Sequence, residues 1–106
     1  MKNTVSYEDN LIDSLKDPEE AAIYLQVAFD EYQEDGHMEA FLLALSNVAK
    51  AQGGIAKLAE KTNLNRQNLY RILSKTGNPT LDTLGAIIKQ LGFVLTIRPI
   101  AVGNHR

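Results

Sequence analysis

Five polar side chains fall within six residues in the stretch RQNLYR, residues 66–71: Arg66, Gln67, Asn68, Tyr70 and Arg71. Their types suit recognition better than bond-making. An arginine presents two parallel donors that match a guanine edge, and a glutamine offers the donor–acceptor pair that matches adenine. A tyrosine can lie on a thymine methyl or bond a phosphate. Lys57, Ser74 and Lys75 flank the stretch and add donors of the kind that grip phosphates without reading bases. Gly54, just before the preceding helix, is expected to expose backbone N–H groups that hold a phosphate, together with Ile55. From residue 50 to 75, Lys50, Lys57, Lys61, Arg66, Arg71 and Lys75 stand against Glu60 alone, a balance of +5.

Catalytic alternatives lack parts. The chain has no cysteine, which excludes disulfides, thiolate metal sites and thiol nucleophiles and fits a reducing cytoplasm. The only imidazoles are His37, in a turn, and His105, in an expected frayed tail. The acidic runs lack the order of a calcium loop, and no glycine-rich phosphate loop follows a strand. Neither Tyr70 nor Ser74 has a base nearby in sequence. A binding protein without cofactor or metal is expected, not an enzyme.

At 106 residues, 44% of them hydrophobic and 23% charged, the chain reads as one small soluble domain with an attached arm. No apolar run is long enough for a bilayer, and MKNTVSYEDN lacks the apolar segment of a secretory signal. Charge divides sharply along the chain. Residues 1–40 carry eleven acids against Lys2 and Lys16, giving −9; residues 41–106 carry nine Lys and Arg against Glu60 and Asp82, giving +7; together they make −2. Such a division points to two binding jobs, or else to two faces that attract each other within one subunit.

The elements that position the polar stretch are helices. Leu11, Ile12 and Leu15 can share one helical face in a weakly patterned arm. Asp17, Pro18 and Glu20 form a helix start, followed by Ala21, Leu25, Ala28, Phe29 and Tyr32 at core spacing to about residue 33. Ile23 and Val27 fall on the opposite, acid-rich side. They are expected to pack beneath the N-terminal arm, the alternative being a partner surface. Asp35-Gly36 breaks the chain. A helix from about 38 to 52 buries Phe41, Leu42, Leu45, Val48 and Ala49, and Gly53-Gly54 ends it. Two short helices follow, at 55–62 and 65–74, burying Ile55, Leu58, Ala59 and Thr62, then Leu69, Ile72 and Leu73. Thr80 caps a last helix with the stripe Leu81, Leu84, Ile87, Ile88 and Leu91, closed by Gly92. The β-branched and aromatic run at 93–97 predicts a strand, which would need a partner outside the chain.

Between the two short helices, Asn63 suits a position with φ > 0, Asn65 suits an N-cap, and Leu64 with Leu69 suits a hydrophobic staple. Ala59 permits close approach of the helices. These requirements agree on a helix-turn-helix. The fold class is therefore all-α: a five-helix, repressor-like domain with an N-terminal helical extension and a short C-terminal β-strand. Its parts are an acidic arm and helix at 1–36, the helix-turn-helix domain at 37–92, and a strand and tail at 93–106.

Three stretches carry a family resemblance: LKDPEEAAIYL at 15–25, EAFLLALSNVAKAQGGIAKLAEKTNLNRQNLYRILS at 39–74, and GNPTLDTLGAIIKQLGFVLTI at 77–97. The chain resembles helix-turn-helix proteins of the phage-repressor/Cro type. More narrowly it looks like the addiction-module antidote proteins, related to host-inhibition-of-growth antitoxins. Asn63 departs from that pattern, since many relatives carry glycine there. The resemblance implies a homodimeric antitoxin that binds double-stranded operator DNA and represses its own operon. It also implies neutralisation of a small basic toxin, usually an mRNA-cleaving protein of the RelE/ParE-like superfamily. A stand-alone prophage-type repressor without a toxin is the alternative reading.

Overall fold

Side-chain caps open four of the six helices of the computed structural model, which describes residues 6–101. Six helices follow in order: α1 (Tyr7–Ser14), α2 (Pro18–Asp35), α3 (Glu39–Ala51), α4 (Ile55–Thr62), α5 (Arg66–Ile72) and α6 (Leu81–Gln90). The weakly patterned arm thus contains a helix, α1, begun by the Ser6 hydroxyl accepting from Asp9 N–H at 3.1 Å. Asp17 opens α2 by accepting from Glu19 N–H at 2.9 Å, with Pro18 in the first turn. Thr80 opens α6 by accepting from Thr83 N–H at 3.2 Å.

α2 and α3 form a helical hairpin hinged at Gly36, whose φ of 75° is left-handed. α1 lies across α3, and α3 leads through α4 to α5 and α6. α3 is the central helix: Leu42, Leu45 and Val48 are completely buried, and Leu69 of α5 and Ile87 of α6 join them. Burying an aliphatic side chain of this size contributes about 1.5–3 kcal/mol, so these residues dominate cohesion. Phe29 bridges to α3 through Phe41, with ring centroids 5.1 Å apart. The core has one buried polar residue among those described. Asn47, 6% exposed, donates from its amide nitrogen to the Tyr24 hydroxyl at 3.0 Å, tying α3 to α2.

Three expectations need correction. First, the run at 93–97 is not a strand; the described residues form six helices and no β-structure. High β-propensity still needs a ladder partner, and none of the described chain supplies one. The run instead begins by closing α6. Gly92, at φ 97°, donates to Lys89 C=O at 3.0 Å and Phe93 donates to Ile88 C=O at 3.1 Å, the paired bonds of a Schellman motif. Second, Leu81 is 76% exposed. It occupies the first position of α6, in an open depression with Gly85 and Lys89, although its spacing matches the buried stripe. Third, Ile23 and Val27 are not covered by the arm: they remain 62% and 53% exposed. α1 packs on α3 and leaves the outer side of α2 open.

Candidate functional site

The corner joining α4 to α5 sets the direction of the polar helix. Asn63 adopts φ 61°, ψ 19°, the left-handed conformation, and is the sole non-glycine residue with positive φ among those described. A backbone that turns here exposes no Cβ clash for asparagine as severe as for branched residues. Leu64 packs half-buried against the core, and Asn65 then caps α5, its side-chain oxygen accepting from Asn68 N–H at 2.8 Å. On the inward side Leu69 is fully buried and Ala59 of α4 is buried opposite. Anchored this way, a helix of seven residues holds a fixed orientation although it is too short to be stable alone.

Its outward side carries Arg66, Gln67, Tyr70 and Arg71, all exposed. Arg66, Gln67 and Tyr70 make no side-chain hydrogen bond, ion pair or ring contact with the rest of the described chain. Arg71 is held by a hydrogen bond to the Asn68 side-chain oxygen, which pre-orients the guanidinium and occupies Asn68. Asn68 is half-buried, and its side-chain oxygen is engaged by its neighbour Arg71. Ser74 lies past the end of α5, half-buried, with its hydroxyl donating to Arg71 C=O at 2.7 Å.

The surrounding cations divide into free and engaged groups. Lys57 and Lys61 are exposed on α4, and the Lys57 stem lies over Gly53: a Cβ there would stand 2.8 Å from its Cδ. Lys75 sits 3.9 Å from Glu39, and Lys50 sits 3.3 Å from Glu8 of α1. Both pairs are largely exposed, where such contacts contribute little and exchange readily with solvent or a ligand. The expectation for Gly54 changes. Its N–H donates to Ala49 C=O at 2.8 Å, beside Gly53 N–H to Lys50 C=O at 3.3 Å, another Schellman closure. The free donors at this end belong to the first turn of α4, which begins at Ile55 without a side-chain cap.

Among the described residues, no cluster of His, Asp or Glu could hold a metal ion, and no helix is long and apolar enough to cross a membrane. His37 is exposed, 3.8 Å from Asp35. His105 lies outside the described residues. What the assembled surface offers is an exposed set of polar side chains on an anchored helix in positive surroundings.

The chain belongs to the family of addiction module antidotes. The model of that family, described as "Probable addiction module antidote protein", matches residues 6–99. Among curated proteins, an uncharacterized protein of Haemophilus influenzae is 29% identical over 89 residues, covering 84% of this chain and 87% of its own length. No solved structure matches the chain. An antidote is the antitoxin half of a toxin–antitoxin module, so membership implies a toxin partner.

Proposed function

We propose that the protein is a sequence-specific DNA-binding antitoxin that represses its own operon and neutralises a small basic toxin. α4, the Asn63 corner and α5 act as a helix-turn-helix, with the start of α5 entering the major groove. Arg66 and Gln67 read base edges; Tyr70 and Arg71 contact the thymine methyl or backbone; Lys57 and Lys75 contact phosphates. The observation that carries this reading is the outward set Arg66, Gln67 and Tyr70, held in place by the Asn65 cap and without internal partners. The protein acts by binding and needs no cofactor.

Reading two half-sites requires two copies, with their α5 helices about 34 Å apart on a pseudo-palindrome. A homodimer is supported by the apolar side chains left open at Leu81, Val94, Ile97 and Ile100, with Ile97 100% exposed. Both charge signs surround them, from Asp82 to Lys89 and Arg98, so the patch can complement itself across a two-fold axis.

Fluorescence anisotropy with duplexes from the protein's own promoter tests the proposal. Arg66→Ala should cost about 1–3 kcal/mol and relax base preference, whereas Lys57→Ala should weaken all sequences alike and reduce the salt slope. Unchanged affinity in both variants at moderate salt would refute the docking.

A further inference from the structure

α2 has a second face with no assigned role. Its eighteen residues include Glu19, Glu20, Asp30, Glu31, Glu34 and Asp35 and not one Lys or Arg. Successive residues step 100° around a helix. That step groups Glu20, Ile23, Val27, Asp30 and Glu34 on one stripe, on the side of the helix turned away from the buried Ala21, Leu25 and Ala28. Two large β-branched side chains thus lie open in the middle of an acidic surface, where solvation alone would favour polar residues.

The chain's own cations do not satisfy this surface. The internal ion pairs to Lys and Arg use Asp13, Glu8 and Glu39, on α1 and at the start of α3. Among the described residues none of Glu19, Glu20, Asp30, Glu31 and Glu34 has a cationic partner; Asp30 accepts only from Gln26, at 2.9 Å. The alternative of two faces attracting each other within one subunit is met by α1 and Glu39, while the acids of α2 are left over.

We infer that the outer face of α2 is the docking surface for the toxin, with Ile23 and Val27 as apolar anchors and Glu20, Asp30 and Glu34 as an acidic rim. The inference rests on the antitoxin reading. The occupant is a small basic protein presenting an apolar patch ringed by Lys and Arg. A central apolar contact with a charged rim is the usual anatomy of such interfaces, the centre holding the complex and the rim speeding its assembly. A second copy of this chain is the wrong occupant for this face, because an isologous contact would set one acidic rim against another.

The test is surface plasmon resonance with the full-length chain and the purified product of the reading frame adjacent to its gene. Ile23→Ala with Val27→Ala should raise the dissociation constant at least about tenfold, mainly through faster release. Glu20→Gln with Asp30→Asn and Glu34→Gln should slow association and flatten its salt dependence. Both sets of positions are exposed, and circular dichroism melts should confirm that each variant is folded. Glu60→Ala, an exposed change on α4, should bind the neighbour's product as the unaltered chain does. A complex that forms but is indifferent to the Ile23 and Val27 changes overturns this surface and leaves the antitoxin reading standing. No complex with the unaltered chain overturns both.

Discussion

Asn65 offers a way to separate the folding of α5 from its use. Its side-chain oxygen accepts from Asn68 N–H at 2.8 Å, one of few bonds fixing a seven-residue helix. Asn65→Ala removes that acceptor and should cost about 1 kcal/mol. For a domain of this size the loss corresponds to a fall of roughly 4–8 °C in Tm. Asn65→Asp keeps the acceptor and adds a negative charge where the helix dipole favours one, so Tm should hold or rise slightly. The same carboxylate stands beside Arg66, on the end proposed to face DNA. At about 6 Å from a phosphate, with an effective dielectric near 40, the repulsion is about 1.4 kcal/mol, roughly tenfold in affinity. The assay pairs circular dichroism melts with anisotropy on a promoter duplex at low and moderate salt. The penalty of Asn65→Asp should shrink as salt rises. If that variant melts normally and binds DNA as tightly as the unaltered protein at low salt, the start of α5 does not approach nucleic acid. If Asn65→Ala melts unchanged, the cap is not what holds the helix.

Gly77→Ala should destabilise the fold by about 2 kcal/mol or more, since a Cβ there would lie 1.9 Å from the Ile72 carbonyl oxygen and force the turn after α5 to move. A urea titration with lowered midpoint and unchanged slope would show it. Asn47→Ala leaves the half-buried Tyr24 hydroxyl without its protein partner and should cost about 1–3 kcal/mol. Tyr24→Phe is the control, and the double variant should lose less than the two single losses added together. Leu81→Asp combined with Ile97→Asp should convert the proposed dimer to a monomer by sedimentation velocity while leaving the melt of the monomer unchanged. A persistent dimer would place the two-fold axis elsewhere.

Most of the helical framework is legible in the sequence because each cue is local. Asp17, Asn65 and Thr80 act as caps, and Gly36 and Gly92 end helices at positive φ, as their residue types alone require. Periodicity gives Phe41, Leu42, Leu45, Val48 and Ala49 as core positions of α3, but not Ala44 and Asn47, which are buried too because that helix is covered on most sides. What was not legible depends on neighbours. Ile23 and Val27 read as apolar residues in search of cover, and only the path of α1 across α3 shows that they have none. Leu81 fits its helix's spacing yet lies at an end where the neighbours stop. The glycine pair 53–54 signals a helix end correctly, but sequence does not reveal that this closure consumes the Gly54 N–H proposed for phosphate. The 93–97 run misled for a physical reason: strand propensity reports a fit to a pleated surface, and no such surface exists within the described chain.

The charge division acquires a different meaning once these contacts are known. Were it a device for internal cohesion, the acids of α2 would be paired with the cations of α4 and α5. Instead the internal pairs run from α1 and Glu39 to Lys50 and Lys75, at the margin of the basic surface. Exposed pairs of this kind are weak, so they trim the positive field without closing it. Arg66 and Gln67 stay open on one helix and Ile23 and Val27 on another, each set in surroundings of opposite sign. Since α2 packs chiefly on α3, a protein seated on its outer face does not need the surface that α5 presents. On the proposed reading, DNA and a basic toxin would be held by different side chains of one small chain.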